Sequence, residues 1–301
     1  MKLAPIVIFV YNRPWHTRQT VEALARNELA ADSAVYIYAD GARKGKGAAG
    51  VEVVRSYIRT ISGFKEITIV ERKSNWGLAN NVIDAVTRLI NEHGKLIVLE
   101  DDLLTSRYFL RFMNEALDKY ETADRVVSIH GYVYPVRHEL PETFFLRGAD
   151  CWGWATWKRG WDTFDKDGKK LLTELRRRRL QKDFNFNGAY NYTAMLKKQI
   201  AGENDSWAVR WYASAFLSDK LTLYPGRTFV KNIGLDGSGT HCQPGKNFDS
   251  PFTDSYGTLK DINLIEHSGA KKVIENYFRM IRPSLLRKAG RFVNKHFSMD
   301  Q

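Results

Sequence analysis

The chain has 301 residues, 44% of them hydrophobic and 13% aromatic, a composition that places it with globular proteins and excludes a disordered or fibrous chain. No run approaches the roughly 18 consecutive apolar residues of a membrane-spanning helix, and the two cysteines, Cys151 and Cys242, form no metal-type cluster and read as reduced thiols of a cytosolic protein. The net charge of +12 is concentrated: residues 271 to 295 hold eight basic side chains against one acid, Glu275, while the rest of the chain carries no nucleic-acid motif.

The first half alternates strand and helix signals. Residues Lys2 to Tyr11 imitate a signal peptide, but Pro5 and the following Asn12-Arg13-Pro14 make Ala4–Val10 a first buried strand. Pro14 suits the first turn of a helix running to about Asn27. Ala34–Ala39 is a second strand closing on Asp40-Gly41, and a Gly- and Lys-rich loop leads to a helix near Val51–Ile61. Glu66–Val70 is a third strand, followed by Asn75-Trp76-Gly77 and a helix to about Glu92. Leu96–Leu99 is a fourth, a helix follows near Ser106–Tyr120, and Arg125–His130 is another strand. Repeated βα units of this length predict a mostly parallel sheet with helices on both faces.

The fourth strand carries the strongest chemical signal. Its apolar run, with no polar alternation, suits a strand buried on both faces, and it ends directly in Glu100, Asp101 and Asp102. Open α/β sheets bind ligands outside the carboxyl ends of their strands. Three adjacent acids repel one another, and the usual relief is a cation; hard oxygen ligands favour Mg²⁺ or Mn²⁺, which in turn recruits phosphate oxygens. A helix N-terminus collecting acids against its dipole is the alternative.

Beyond about residue 140 the character changes. Trp152, Trp154 and Trp157 crowd together with small residues between them, a pattern that suits either core packing or stacking on a sugar ring. A basic helix holds Arg176–Arg179, another helix follows Ser206, and short strands surround Leu221–Tyr224 and Thr228–Lys231. Gly234–Gly245 reads as a polar loop carrying His241. The tail, 266–301, shows apolar residues at helical spacing with Arg and Lys between them, broken at Pro283. It is either a terminal helix packed on the domain or a basic amphipathic helix for an anionic bilayer surface.

The motifs FVYNRP (9–14), YADG (38–41), NWGLANN (75–81), VLEDDL (98–103), CWGWATW (151–157), GENDSW (202–207) and GLDGSGTHC (234–242) together resemble the GT-A class of nucleotide-sugar glycosyltransferases. In detail they are similar to family 2-type bacterial enzymes that build cell-surface polysaccharides of the O-antigen or capsule kind. The resemblance implies a GT-A-like, Rossmann-like domain over 1–265, with a nucleotide-sugar half (1–135) and an acceptor half (136–265). By that resemblance Asp102 ligates Mn²⁺ or Mg²⁺, with His241 as an extra metal or diphosphate ligand. Tyr11, Asn12, Arg13, Asp40, Asn75, Gly77, Asn81, Glu100 and Asp101 contact the donor, a UDP-sugar being favoured. Many relatives carry Arg just before the last Asn of the third motif, where this chain has Asn80.

Transfer needs a base for the acceptor hydroxyl. The resemblance points to Asp205, with Glu203 as runner-up; the residue-level alternative is that Asp205 or Ser206 caps the following helix. A single aspartate base implies inversion. Asn12 reads equally well as a helix cap, and Trp152 and Trp154 are the candidates for stacking on acceptor or donor sugar. The expected acceptor is a glycan or lipid-linked glycan at the inner face of a bacterial membrane, with the enzyme cytoplasmic and peripheral. The rivals are a non-catalytic carbohydrate- or membrane-binding protein on the same scaffold, or a sugar-phosphate nucleotidyltransferase, although the Gly-rich phosphate loop of the latter is absent after the first strand.

Overall fold

The computed structural model describes residues 2–238, 247–253 and 255–282. In chain order the elements are β1 (Ile6–Val10), α1 (Pro14–Ala25), β2 (Ala34–Ala39), α2 (Ala48–Ile58), β3 (Glu66–Glu71), α3 (Leu78–His93), β4 (Lys95–Glu100), β5 (Leu103–Thr105), α4 (Phe109–Lys119) and β6 (Val126–His130). The second half contributes β7 (Thr143–Arg147), β8 (Trp154–Trp157), α5 (Lys158–Trp161), α6 (Gly168–Arg177), α7 (Gln181–Phe184), α8 (Tyr192–Ile200), α9 (Trp207–Leu217), β9 (Leu221–Pro225), β10 (Val230–Asn232) and α10 (Ser268–Ile281).

Eight strands form one sheet in the order β3-β2-β1-β4-β8-β6-β9-β7. The β3-β2-β1-β4 block is parallel, as is β6 with β9, while β8 runs antiparallel to both β4 and β6 and β7 runs antiparallel to β9. The mostly parallel α/β sheet expected from the βα spacing is therefore present. The alternation of side chains along a strand divides the core into two layers. Ile6, Ile8 and Val10 of β1 pack with residues of α1, α2 and α4 on one face, and Val7 and Phe9 pack with α3 and α9 on the other.

The first and second halves of the sequence share this sheet, because β8 lies between β4 and β6. The expectation for Trp154 is corrected here. As the first residue of β8 it is fully buried among Trp161, Trp207 and Trp211, with ring centroids 5.5–5.8 Å away, so no ring face is open for a sugar. Trp157 is buried as well and donates from its indole N–H to the Leu117 carbonyl at 3.1 Å. Strand β8 escapes recognition in the sequence because it is covered on both faces and so lacks the alternation of a half-exposed strand.

The first part of the tail belongs to the domain. Helix α10 buries Ile274, Tyr277 and Phe278, and Phe278 packs edge-on against Tyr134 and Phe186. Lys271 is paired with Asp183 and Glu266. The apolar stripe of α10 thus faces protein, not a bilayer, while the part of the tail beyond 282 lies outside the described residues. Among the described residues no helix is long and apolar enough to cross a membrane.

Candidate functional site

The carboxyl ends of β1, β2, β3 and β4 lie along one edge of the parallel block, and most of the expected residues collect there. At the tip of β4, Arg13 reaches across from the end of β1. Its Nη2 donates to Asp101 Oδ1 and, at 2.9 Å, to Asp102 Oδ2. Both aspartates are buried, at 5% and 7% exposure. Burial alone would lower the guanidinium's pKa, but Asp101 and Asp102 hold it above its ordinary value. The cation that relieves these acids in this structure is therefore an arginine.

One guanidinium does not balance three carboxylates. Burial, then the charges of Asp102 and Asp101, pushes Glu100 up to about 8, with a hydrogen bond from Trp207 pulling the other way. Burial likewise lifts Asp101 to about 6 despite the opposing pull of Arg13. Gly234 closes over this cluster so tightly that a Cβ there would collide with Asp102 Oδ2 and Arg13. Nearby, His16 Nε2 lies 3.1 Å from Asp236 Oδ2, and hydrogen bonds from Ser238 hold the Asp236 carboxyl down at about 2. His241 and Cys242 lie outside the described residues.

Asp40 closes β2 as expected but is not presented to a ligand. Its Oδ1 accepts from the backbone N–H of Gly41 and Trp76, both at 2.8 Å, and its Oδ2 accepts from Gly77 N–H at 3.0 Å and Asn75 Nδ2 at 2.9 Å. Four donors fill the acceptor capacity of a carboxylate. Asn75 also donates to the Gly41 carbonyl at 2.8 Å. Asp40 and Asn75 therefore tie the loop after β2 to the loop after β3, an approach so close that a Cβ on Gly41 would collide with the Ser74 backbone.

Tyr11 and Asn12 face the loop after β2. The Tyr11 hydroxyl accepts from Arg43 N–H at 3.2 Å, and Asn12 packs against Gly47 and Gly50. Asn12 is not a helix cap: Arg13 occupies that position, with no side-chain cap bond. Asn81 is bound to Arg72, whose Nε donates to its Oδ1 at 3.0 Å. Arg72 also lies 3.8 Å from the centre of the Trp76 ring and pairs with Asp84. A positive charge beside the Asn75–Asn81 motif, lacking at Asn80, is thus supplied from the end of β3.

Asp205 reaches the same edge from the second half. Ser206 caps α9 by accepting from Val209 N–H at 3.2 Å, which leaves Asp205 outside the cap and 57% exposed. Its Oδ2 lies next to Gly77, and Arg210 stands 3.8 Å from its other oxygen. Two residues on, Trp207 touches Glu100. Glu203 is exposed in the turn after α8. Trp152 is half-buried, edge-on to Tyr132 and Phe248.

Arg43, Arg72, His16 and Asp236 are the participants that the sequence reading missed. Only His16 carried a signal, standing one helical turn from Arg13 at the start of α1.

No protein-family model matches the chain, and no curated protein matches it. Among solved structures it is similar to S. aureus TarS 1–349 in complex with UDP-GlcNAc, with a TM-score of 0.43 and 10% identity over 76% of this chain and 58% of that one. It is similar to the mannosyltransferase PcManGT from Pyrobaculum calidifontis in complex with GDP-Man and Mn²⁺ (0.39, 11%, 72% and 68%) and to apo mouse xyloside xylosyltransferase 1 (0.38, 13%, 62% and 77%). Against a second structure of S. aureus TarS 1–349 the match spans about half of that chain, 47%.

Proposed function

We propose that the chain is a glycosyltransferase that moves one sugar from a nucleotide-diphosphate donor to a glycan acceptor with inversion. The observation that carries this reading is the meeting of three carboxylates and Arg13 at the carboxyl tip of β4, on the sheet edge to which the start of α9 also brings the exposed Asp205. The strand-tip position is where open α/β sheets bind ligands.

Asp205 accepts the proton of the acceptor hydroxyl as its oxygen attacks the anomeric carbon. The bond from that carbon to the diphosphate oxygen breaks, and the nucleotide diphosphate departs with the electron pair. Arg13, Arg43 and Arg72 supply positive charge around the loops that face the donor. Among the described residues no group of three or more His, Cys, Asp or Glu side chains is arranged to hold a metal. A two-carboxylate set nonetheless fits Mg²⁺ or Mn²⁺, which is commonly held by one or two carboxylates plus substrate phosphates. The lifted Glu100 and Asp101 mark an excess of negative charge suited to it. Asp102 would hold the ion, with Asp101 beside it toward the donor, and the ion when bound would neutralise charge on the leaving diphosphate.

A UDP-sugar donor, a lipid-linked acceptor and a place at the inner face of a bacterial membrane, in surface polysaccharide synthesis, complete the proposal; they rest on the sequence resemblance. A second reading, a binding protein without catalysis, draws on Arg13 already occupying the acids beneath Gly234. Sugar release from a panel of nucleotide sugars, with and without added glycans, tests the proposal. Asp205→Asn is expected to lower the turnover rate about a hundredfold to ten-thousandfold with donor affinity kept. Full turnover in that variant would remove Asp205 from the mechanism.

A further inference from the structure

A cavity of about 450 Å³ opens between the segment after β6, the loop before β8, α8 and α9. Its walls are aromatic: Tyr132, Tyr134, Trp152, Tyr192 and Phe248 line it. The tyrosine hydroxyls are largely spent inside the protein, Tyr132 donating to the Phe248 carbonyl at 2.8 Å and Tyr134 to Asp150 Oδ2 at 3.0 Å. What the walls present is therefore ring face and ring edge.

Among the described residues Asp150 is the one acid lining the cavity. Its side chain is 23% exposed, and its only ion-pair neighbour among the described residues is the fully buried His130, at 3.9 Å. Burial lowers the pKa of His130, and its Nε2 accepts from the Trp152 backbone N–H at 3.1 Å, so the imidazole is neutral and Asp150 has no cation. Oδ2 takes the Tyr134 hydroxyl and, at 3.4 Å, that of Tyr224, whereas Oδ1 accepts from Cys151 N–H at 2.8 Å, so the acceptor capacity left over is on Oδ1.

We infer that this cavity binds one pyranose ring of the acceptor. The open acceptor site of Oδ1, facing an aromatic hollow, is costly unless a ligand donates a hydrogen bond to it. A pyranose meets both demands, with a C–H face for Trp152 and a ring hydroxyl for Asp150 Oδ1; an alkyl chain would leave that oxygen without a donor. The cavity also lies on the acceptor side, because α9 contributes Ala208 and Val209 to its wall and Asp205 lies just before that helix. This assignment of an acceptor subsite rests on the proposed role of Asp205; the binding of a sugar ring does not.

The test is saturation-transfer NMR without donor, using the methyl pyranosides of glucose, galactose, mannose and N-acetylglucosamine, with octyl glucoside as the lipid-like control. At least one methyl pyranoside is expected to receive saturation, with Kd weakened about tenfold or more in Asp150→Asn and signal lost in Trp152→Ala, whose folding is checked by thermal unfolding. Nucleotide binding by both variants should match wild type, which separates this site from the donor site. Silence from every methyl pyranoside, binding indifferent to Asp150→Asn, or saturation confined to the octyl chain would overturn the inference.

Discussion

Arg13 donates to Asp102 across 2.9 Å, joining the end of the first strand to the tip of the fourth. Removing one partner of a mostly buried pair leaves the others uncompensated, and this arginine serves two acids. Arg13→Ala is therefore expected to cost about 3–5 kcal/mol of stability in urea unfolding. Millimolar Mn²⁺ should restore part of that loss if Asp101 and Asp102 accept a metal once the guanidinium is gone. A variant as stable as wild type would show that the acids are solvated.

The pH dependence of stability follows from Glu100. Its folded-state value of about 8 lies above the ordinary 4.5, so the native state holds this proton more tightly than the unfolded chain. The resulting stabilisation is complete below about pH 4.5 and is lost as pH rises through 8. Glu100→Gln removes this titration, so its Tm should gain on wild type steadily from pH 5 to pH 9. A constant Tm difference across that range would mean that Glu100 is ionised throughout.

Trp154 separates core packing from sugar stacking. Trp154→Ala is expected to cost about 3–5 kcal/mol and Trp154→Phe less. If the ring serves packing alone, Trp154→Phe should keep its affinity for methyl pyranosides. Loss of sugar binding in a well-folded Trp154→Phe would return the stacking role to this residue.

The βα rhythm of β1, β2, β3, β4 and β6 was legible because each is a short apolar or β-branched run bounded by turn residues, and its carboxyl ends gave the candidate site, while the three-residue β5 carried no signal of its own. Partners far apart in sequence were not legible. The pairing of Arg13 with two acids 88 and 89 residues away had no signal in the sequence. Asp40 was expected at the ligand, yet four donors from two loops enclose it, three of them backbone N–H groups that no side-chain pattern encodes. The Trp cluster carried two meanings that only the placement of β8 between β4 and β6 separates: Trp154 points into the core, while Trp152 lines a cavity.

The central claim is that the acids at the tip of β4 receive a nucleotide diphosphate together with a divalent cation. Thermal unfolding of wild type and Asp102→Asn, with UDP, GDP, dTDP or ADP and with or without Mn²⁺, measures it most directly, because a ligand bound to the native state raises Tm by mass action. The account predicts that at least one of these nucleotides raises the Tm of wild type when Mn²⁺ is present, and that Asp102→Asn abolishes the rise. No rise with any nucleotide, or an equal rise in the variant, would contradict it.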